Sequence, residues 1–351
     1  MRLLARSGGI DRGYLPRALA VSLTTLLTSP LRVAERLAYG RQIARTTIAP
    51  TPLFLLGHWR TGTTHLHNLL AHDPQFGFVS TFQGMAPDMS LIGDRFVRPF
   101  LAAQARRLHP TREIDNIPLV LEAPQEESFA LANLSPLASL HVYSLPRRAR
   151  AIFRRYGLLE DLDEREKSEW VEHFLHVLRV ATLRGGGRPL VLKDPCHTGR
   201  IRLLLELFPE ARFVHIVRDP YRVLPSMLGV WRVVLGTAQL QEIEPAEVED
   251  LVLGIYEQLM RRYLADRDLI PAGRLVEVRF EDLESDPMRE LSTIYDHLGI
   301  EGFAAAAPAI RSYAESVRSF VKNDYRVSPE VVRRVNERWR FALDEWGYPR
   351  L

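Results

Sequence analysis

The stretch Leu53–Leu70, LFLLGHWRTGTTHLHNLL, decides the fold of this chain. Its first four residues, Leu53–Leu56, are all apolar, which is typical of a buried parallel strand. Gly57 ends that run, a short loop follows, and a helical apolar period begins near Thr63. A strand, a glycine-bounded loop and a helix start bring loop amides and the positive end of a helix dipole to one point. The stretch therefore predicts an anion-binding loop.

The spacing of this loop, G-x4-G-T-T, differs from the G-x4-G-K-[ST] of P-loop nucleotide triphosphatases. Thr63 stands where those enzymes have the lysine that holds the transferred phosphate. The cation of the loop, Arg60, lies ahead of the second glycine instead. Without that lysine, routine ATP hydrolysis is not favoured. We interpret the loop as a phosphate cradle, and an ordinary strand-to-helix turn with a threonine cap is the alternative.

Further apolar runs follow the same pattern of strand, turn and helix. Strands are predicted over Pro189–Lys193, Ala211–Val217 and Leu275–Arg279, and a short one over Phe76–Ser80. This alternation predicts an α/β fold, P-loop-like and three-layered, with a central parallel sheet flanked by helices. Ligands of such sheets bind beyond the carboxyl ends of the strands. Four charged side chains are expected at that edge: Lys193, Asp194, Arg218 and Asp219.

Residues 1–50 are interpreted as an N-terminal helical extension of a main domain over residues 51–351. Arg17 and Pro30 interrupt its apolar part, which is therefore too short to span a bilayer. No small-residue cleavage site of a signal peptide follows it. An amphipathic helix is expected, which would pack on the domain, cover a partner or touch a membrane surface.

The composition is ordinary for a globular domain. The chain has 351 residues, 46% of them hydrophobic, and its net charge of +3 is too small to indicate nucleic acid binding. The single cysteine, Cys196, excludes an intrachain disulfide and a cysteine-based zinc site, and it fits a reducing compartment. We therefore expect a cytoplasmic protein without a metal, and we leave peripheral membrane contact and homodimerisation open.

The segment Pro118–Asn133, PLVLEAPQEESFALAN, places carboxylates among apolar residues: Glu122, Glu126 and Glu127. A helix beginning at Pro124 would hold the last two in its first turn, where carboxylates suit the helix dipole. Longer helices are predicted over Leu158–Arg184 and from Ser328 toward Trp346. The segment Thr81–Phe100 is interpreted as a loop with a short helix.

Four segments resemble sulfotransferases that use 3′-phosphoadenosine 5′-phosphosulfate (PAPS), and together they cover most of residues 51–330. They are WRTGTTHLHNLL, VLKDPCHTGRIRLLLELFPEARFVHIVRDPYRVLPSM, VEVRFEDLESDP and SFVKNDYRV. The first is similar to the family's [KR]-[ST]-G-T-T loop for the 5′-phosphosulfate. The second is similar to its strand and helix for the 3′-phosphate, and the last stands in the place of its late basic loop.

The resemblance implies a donor site. The loop residues would hold the 5′-phosphosulfate: Thr61, Gly62, Thr63 and Thr64. Arg218 and Ser226 would hold the 3′-phosphate, with Lys322 and Arg326 available from the late loop. Arg60 matches the catalytic cation on the bridging oxygen, and Lys193 is a second cation candidate. Since a transferring sulfuryl group carries less charge than a phosphoryl group, amides and side-chain cations can stabilise it without Mg²⁺.

The general base is where the chain departs from the resemblance. Many members have a histidine two residues after the lysine that matches Lys193, and this chain has Pro195 there. Other branches use a glutamate, so we favour Glu127 or Glu126 as the base, with Glu122 behind them. His197 is a competing candidate.

These observations predict transfer of a sulfuryl group from PAPS to a hydroxyl, which leaves adenosine 3′,5′-bisphosphate. Several side chains suggest an apolar or lipid-like acceptor: Phe82, Met85, Met89 and Phe96. A sugar or a small polar alcohol is the alternative. Two other functions stay open. One is a P-loop small-molecule kinase, and the other is a non-catalytic nucleotide-binding protein.

Overall fold

The structure, a computed structural model, describes residues 2–5, 8–108, 120–318 and 326–351. The helices are α1 (Arg2–Ala5), α2 (Leu15–Arg45), α3 (Thr63–Leu70), α4 (Thr81–Met85), α5 (Val97–Leu108), α6 (Glu127–Leu134), α7 (His141–Ser144), α8 (Ala149–Ile152), α9 (Glu164–Arg184), α10 (Ile201–Leu207), α11 (Pro220–Ala238), α12 (Pro245–Asp266), α13 (Phe280–Ser285), α14 (Pro287–Leu298), α15 (Phe303–Ser316), α16 (Pro329–Arg338) and α17 (Arg340–Glu345). Short 3-10 helices lie at Arg12–Tyr14, Pro146–Arg148, Pro195–Gly199 and Arg267–Leu269, and a π-helical turn at Phe153–Gly157.

Four parallel strands form the sheet, in the order β2-β1-β3-β4. They are β1 (Leu53–Leu56), β2 (Val191–Lys193), β3 (Arg212–Val217) and β4 (Leu275–Arg279). In the central strand β1, Phe54 pairs with Leu192 on one side and with Phe213 on the other. Every residue of β1 is buried, as expected for a parallel strand covered on both faces.

Side chains of alternate residues enter two separate layers of packing. Leu53 and Leu55 belong to a core that includes Leu66 of α3 and Ile294 of α14. Phe54 points the other way and packs on the rings of Phe208 and Phe213. The predicted α/β fold, a central parallel sheet with helices on both faces, is therefore confirmed.

The chain divides into two compact units, which are described separately. The sheet unit comprises residues 49–78, 188–230 and 249–351 and contains all four strands. The helical unit comprises residues 1–48, 79–187 and 231–248, with α2 and α9 as its long helices. The boundary expected at residue 50 stays a prediction.

The N-terminal segment contains a 31-residue helix, α2, which runs through Pro30. A proline cannot donate to the carbonyl four residues earlier, here that of Leu26. The hydroxyl of Ser29 donates to that carbonyl oxygen instead, at 2.6 Å. Among the described helices, none is long and apolar enough to cross a membrane.

Four predicted elements differ from the structure. Phe76–Ser80 is not a strand, because it makes only isolated bridges and Ser80 caps α4 through a bond from the Gln83 amide. The helix expected from Pro124 begins at Glu127, because the Gln125 amide donates to the Val79 carbonyl.

The long helices are also shorter than predicted. The N-cap residue of α9 is Asp163, whose side chain accepts a bond from the Glu166 amide, so the helix does not extend back to Leu158. The C-terminal helix begins after Ser328 as predicted, but Trp339 divides it into α16 and α17.

Candidate functional site

The loop between β1 and α3 has the predicted form. The strand ends at Leu56, and the helix begins at Thr63 with Gly62 as its N-cap residue. Gly62 has a φ of +99° and no side chain that could cap the helix. The first-turn amides and the positive end of the α3 dipole therefore converge on the loop, which is suited to an anion.

Close packing fixes the shape of this loop. A Cβ atom on Gly57, where φ is +142°, would lie 2.6 Å from the carbonyl oxygen of Ile216. A Cβ atom on Gly62 would lie 2.2 Å from Cδ2 of Phe280. Both glycines are required by backbone conformation and by space. Phe280, at the start of α13, is a supporting residue that the sequence did not reveal.

Arg60 holds a conformation that is unusual for a residue with a side chain. Its φ is +72°, in the left-handed region, which costs a non-glycine residue about 1 to 2 kcal/mol. Its Nε donates to Oγ of Ser226 at 2.8 Å, and Ser226 on α11 is buried. In the next position the hydroxyl of Thr61 donates to the His58 carbonyl at 2.7 Å. Backbone strain of this kind is concentrated at functional sites.

Arg218, directly after β3, bonds to the backbone of Arg60. Its Nη1 donates to the carbonyl oxygen of Arg60 at 3.1 Å, and its guanidinium lies 4.2 Å from the centre of the Phe280 ring. The pKa of Arg218 is lowered, chiefly by burial. The charge of Glu281 opposes this shift, and the charge of Arg60 adds to it. The structure thus brings together three of the residues predicted for the donor: Arg60, Arg218 and Ser226.

Lys193 lies at the end of β2 beside the first turn of α3. It is buried, and its Nζ donates to Oγ1 of Thr64 at 3.3 Å. His67, one turn further along α3, has its Nε2 at 3.3 Å from the Val191 carbonyl oxygen. Burial lowers the pKa of His67 to about 3, and the charge of Lys193 adds to that effect. His67 is therefore neutral near neutral pH.

The segment after β2 is tied to the anion-binding loop. Oγ1 of Thr198 accepts a bond from the Gly57 amide at 2.7 Å. Asp194 forms a fully buried ion pair with Arg200 at 3.3 Å and also accepts from the Cys196 amide. Thr198 was not among the predicted site residues, although its place among polar residues directly after a strand was a usable signal.

Two other predicted residues have structural partners at this edge. His197 is fully buried, with its ring edge on to Phe54 at 5.2 Å between centroids. Asp219 accepts a bond from the Tyr221 amide, and its own amide donates to Glu281. Burial raises the pKa of Asp219 above its ordinary value. A role for His197 as a base stays a prediction.

The carboxylates proposed as bases belong to the helical unit. Glu127 is the first residue of α6 and is fully buried, and Glu126, its N-cap residue, is partly buried. Glu122 is exposed and forms an ion pair with Arg98. Burial distinguishes Glu127 from its neighbours, and the choice of base stays a prediction.

The late basic segment lies partly outside the described residues. Lys322 is among those the structure does not describe, and Arg326 is exposed. Of the side chains that suggested an apolar acceptor, Phe82 and Met89 pack in a small buried cluster. Met85 and Phe96 are exposed. Within the described ranges, no group of histidine, cysteine or carboxylate side chains could hold a metal ion.

Comparison with known proteins gives the family. A family model described as "Sulfotransferase family" matches residues 52–305. Two curated relatives carry the name omega-hydroxy-beta-dihydromenaquinone-9 sulfotransferase Stf3, one from Mycobacterium bovis and one from Mycobacterium tuberculosis. Each is 32% identical over 351 residues, which is all of this chain and 89% of the relative.

Solved structures give the same fold. The sulfotransferase STF9 from Mycobacterium avium superposes with a TM-score of 0.73 at 22% identity, over 97% of this chain and 88% of that one. STF1 from Mycobacterium tuberculosis superposes with a TM-score of 0.69 at 17% identity, over 95% of this chain and 88% of that one. At these identities the likeness is evidence of fold alone.

Proposed function

This chain belongs to the sulfotransferase family, and on that basis we propose that it moves a sulfuryl group from PAPS to a hydroxyl of a small, lipid-like acceptor. The products are a sulfate ester and adenosine 3′,5′-bisphosphate. Residues 51–351 form the domain that carries the reaction, and residues 1–50 form an N-terminal extension. The reaction needs no metal, because amides and cations can stabilise the small charge on the sulfuryl group.

One observation carries the proposal: hydrogen bonds link Arg218, the loop residue Arg60 and the buried hydroxyl of Ser226 beside the start of α3. Arg218 donates to the Arg60 carbonyl, and Arg60 donates to Ser226. Besides burial, the charge of Arg60 lowers the pKa of Arg218, and an anion bound beside both cations relieves that repulsion. The dipole of α3 adds positive potential. A donor with two anionic ends, a phosphosulfate and a 3′-phosphate, suits this arrangement.

Each end of the donor has its own set of groups in this proposal. The loop residues Thr61, Gly62, Thr63 and Thr64 hold the phosphosulfate through amides and hydroxyls. Arg218 and Ser226 hold the 3′-phosphate, with Lys322 and Arg326 contributing from the late segment. On donor binding, the hydrogen bond between Arg60 and Ser226 is exchanged for one bond from each side chain to the donor.

The proposed transfer is an in-line displacement at sulfur. The acceptor oxygen forms a bond to sulfur while the bond from sulfur to the bridging oxygen breaks, and the electron pair stays on the leaving phosphate. Arg60 stabilises that developing charge, and Lys193 supports it through the first turn of α3. A carboxylate takes the acceptor proton. Glu127 is the first candidate, Glu126 the second, and His197 the competing one.

The acceptor is proposed to be an alcohol with a long apolar body. The curated relatives are named for a hydroxylated menaquinone derivative, which is a lipid. In this chain, large apolar side chains such as Met85 and Phe96 are exposed in the helical unit.

Calorimetric titration with adenosine 3′,5′-bisphosphate, compared with ATP and Mg²⁺, tests the donor site. The wild type should bind the bisphosphate tightly and ATP weakly. Arg218→Ala should weaken bisphosphate binding by about 10- to 100-fold, because a charge-assisted contact with phosphate is lost. Arg222→Ala is the matched control, since it removes an exposed arginine four residues away. Preferential ATP binding would favour the kinase, and bisphosphate binding without any sulfuryl transfer would favour a non-catalytic protein.

A further inference from the structure

One face of α2 is apolar although it does not pack on protein. Leu19, Leu26 and Leu37 are exposed to 69%, 68% and 82%. The exposed apolar residues follow one another at intervals of four, four, three, four, three and four: Leu15, Leu19, Leu23, Leu26, Pro30, Val33 and Leu37. That spacing places them on one side of the helix, in a stripe about 33 Å long. We call it the outer stripe of α2.

The opposite face fixes α2 against the helical unit. Ala18 and Ile43 are buried on that face. The side chain of Glu35 is also buried, and it accepts bonds from the backbone amides of Leu91 and Ile92 at 2.8 and 3.0 Å. Rotating the helix to hide the outer stripe would break these bonds and leave a carboxylate buried without partners, which is costly. The outer stripe therefore stays outside.

Nearly all charged side chains of α2 are basic. The helix contains five arginines and one acidic residue, Glu35, whose carboxylate is buried. Arg17 donates to the carbonyls of Gly236 and Gln239, and Arg32 pairs with Asp88. The exposed arginines of α2 are therefore Arg36, Arg41 and Arg45. One turn beyond Leu37, Arg41 and Arg45 line an open cavity of about 510 Å³ together with Gln42 and Leu183. The outer stripe thus ends beside two cations that could bind an anionic headgroup.

We propose that α2 docks on an anionic lipid bilayer, with the outer stripe among the acyl chains and the exposed arginines of the helix at the lipid phosphates. An apolar face combined with exposed arginines is the pattern of a helix that lies in the plane of a membrane surface. The same face of a second chain fits less well, because the one acidic residue of α2, Glu35, is buried and offers the exposed arginines no opposite charge. This proposal concerns a surface of the extension and does not depend on the proposed chemistry.

Vesicle sedimentation of the full chain tests the proposal. The wild type should bind phosphatidylcholine vesicles that contain about 30% phosphatidylglycerol, and pure phosphatidylcholine much less. Leu26→Glu with Leu37→Glu should lower the partition coefficient about tenfold or more. Thr24→Glu with Thr25→Glu changes the charge equally at exposed positions off the outer stripe, and it should bind more strongly than the leucine variant. Arg41→Gln with Arg45→Gln should reduce the preference for anionic vesicles.

Three results would overturn the proposal. They are absence of wild-type binding, equal binding by the leucine and threonine variants, and a stable dimer in sedimentation velocity that only the leucine variant loses. The last result would assign the outer stripe to a second copy of the chain. Bisphosphate titration of each variant reports on the folded donor loop independently, so failure to dock is distinguishable from failure of the proposed function.

Discussion

Gly62 is the residue on which the loop depends most directly. It needs a positive φ, and a Cβ atom there would overlap Phe280, the ring on which Arg218 lies. Gly62→Ala should destabilise the fold by about 3 kcal/mol or more and weaken bisphosphate binding. Gly273→Ala is the control, because Gly273 also has a positive φ but no atom near its Cβ position, so it should cost only about 1 to 2 kcal/mol. Urea unfolding and calorimetry measure both effects, and equal costs would contradict the argument.

Arg60 should matter for turnover far more than for folding. Because Arg60 is proposed to stabilise the charge that develops on the leaving phosphate, Arg60→Ala should lower kcat at least about 100-fold while the fold survives. Arg60→Lys should recover part of that loss by restoring a positive charge. The assay is transfer of labelled sulfate from PAPS to a long-chain alcohol, and unchanged turnover in Arg60→Ala would refute the assignment.

The base is predicted to be Glu127 rather than Glu126. Glu127 is fully buried at the first position of α6, whereas Glu126 is partly exposed. Glu127→Gln should lower kcat about 100-fold or more with little change in bisphosphate affinity. Glu126→Gln is the matched control and should change kcat much less. If the control loses more activity than Glu127→Gln, the two roles must be exchanged, and if neither loses activity, His197 becomes the base to test.

At the scale of elements, one hydroxyl joins the two loops that follow β1 and β2. Thr198→Val keeps the shape of the side chain but removes the acceptor of the buried Gly57 amide. We expect a loss of about 1 to 3 kcal/mol in the free energy of unfolding and weaker bisphosphate binding. Thr198→Ser keeps the hydroxyl and should retain most of both. Equal behaviour of the two variants would mean that this bond does not hold the loop.

Secondary structure elements were predicted correctly where the sequence of one short segment determines them. The apolar run Leu53–Leu56, the glycines around it and the period from Thr63 gave β1, the loop and α3 correctly. Errors came where a contact distant in sequence overrides local preference. The start of α6 moved to Glu127 because the Gln125 amide donates to the Val79 carbonyl.

At the scale of the whole molecule, the site residues that could be predicted are those that lie at or just beyond the carboxyl ends of the strands. Three neighbouring strands bring charged residues to one edge of the sheet: β2 ends at Lys193, and Arg60 and Arg218 lie beyond the ends of β1 and β3. Phe280 escaped prediction because its importance lies in its contact with Gly62, which no local pattern encodes. The polar run after β2 did indicate the neighbourhood of Thr198, but not its bond with the Gly57 amide.

The stability of the whole molecule should fall in mild acid. Burial lowers the pKa of His67 to about 3 and that of His58 to about 4, so both stay neutral in the folded chain. The unfolded chain binds a proton at each below a pH of about 6.5. Each histidine therefore stabilises the fold fully above that pH. Its contribution falls by up to about 1.4 kcal/mol per pH unit as the pH drops toward the folded pKa.

Urea unfolding from about pH 7 to about pH 5 isolates the share of His67, which should be about 2 kcal/mol. Glutamine at this position keeps a donor for the Val191 carbonyl but does not titrate, so His67→Gln should flatten the pH dependence by that amount. A wild-type slope in His67→Gln would mean that this histidine is protonated inside the fold. The helix beside the donor loop would then carry a further positive charge.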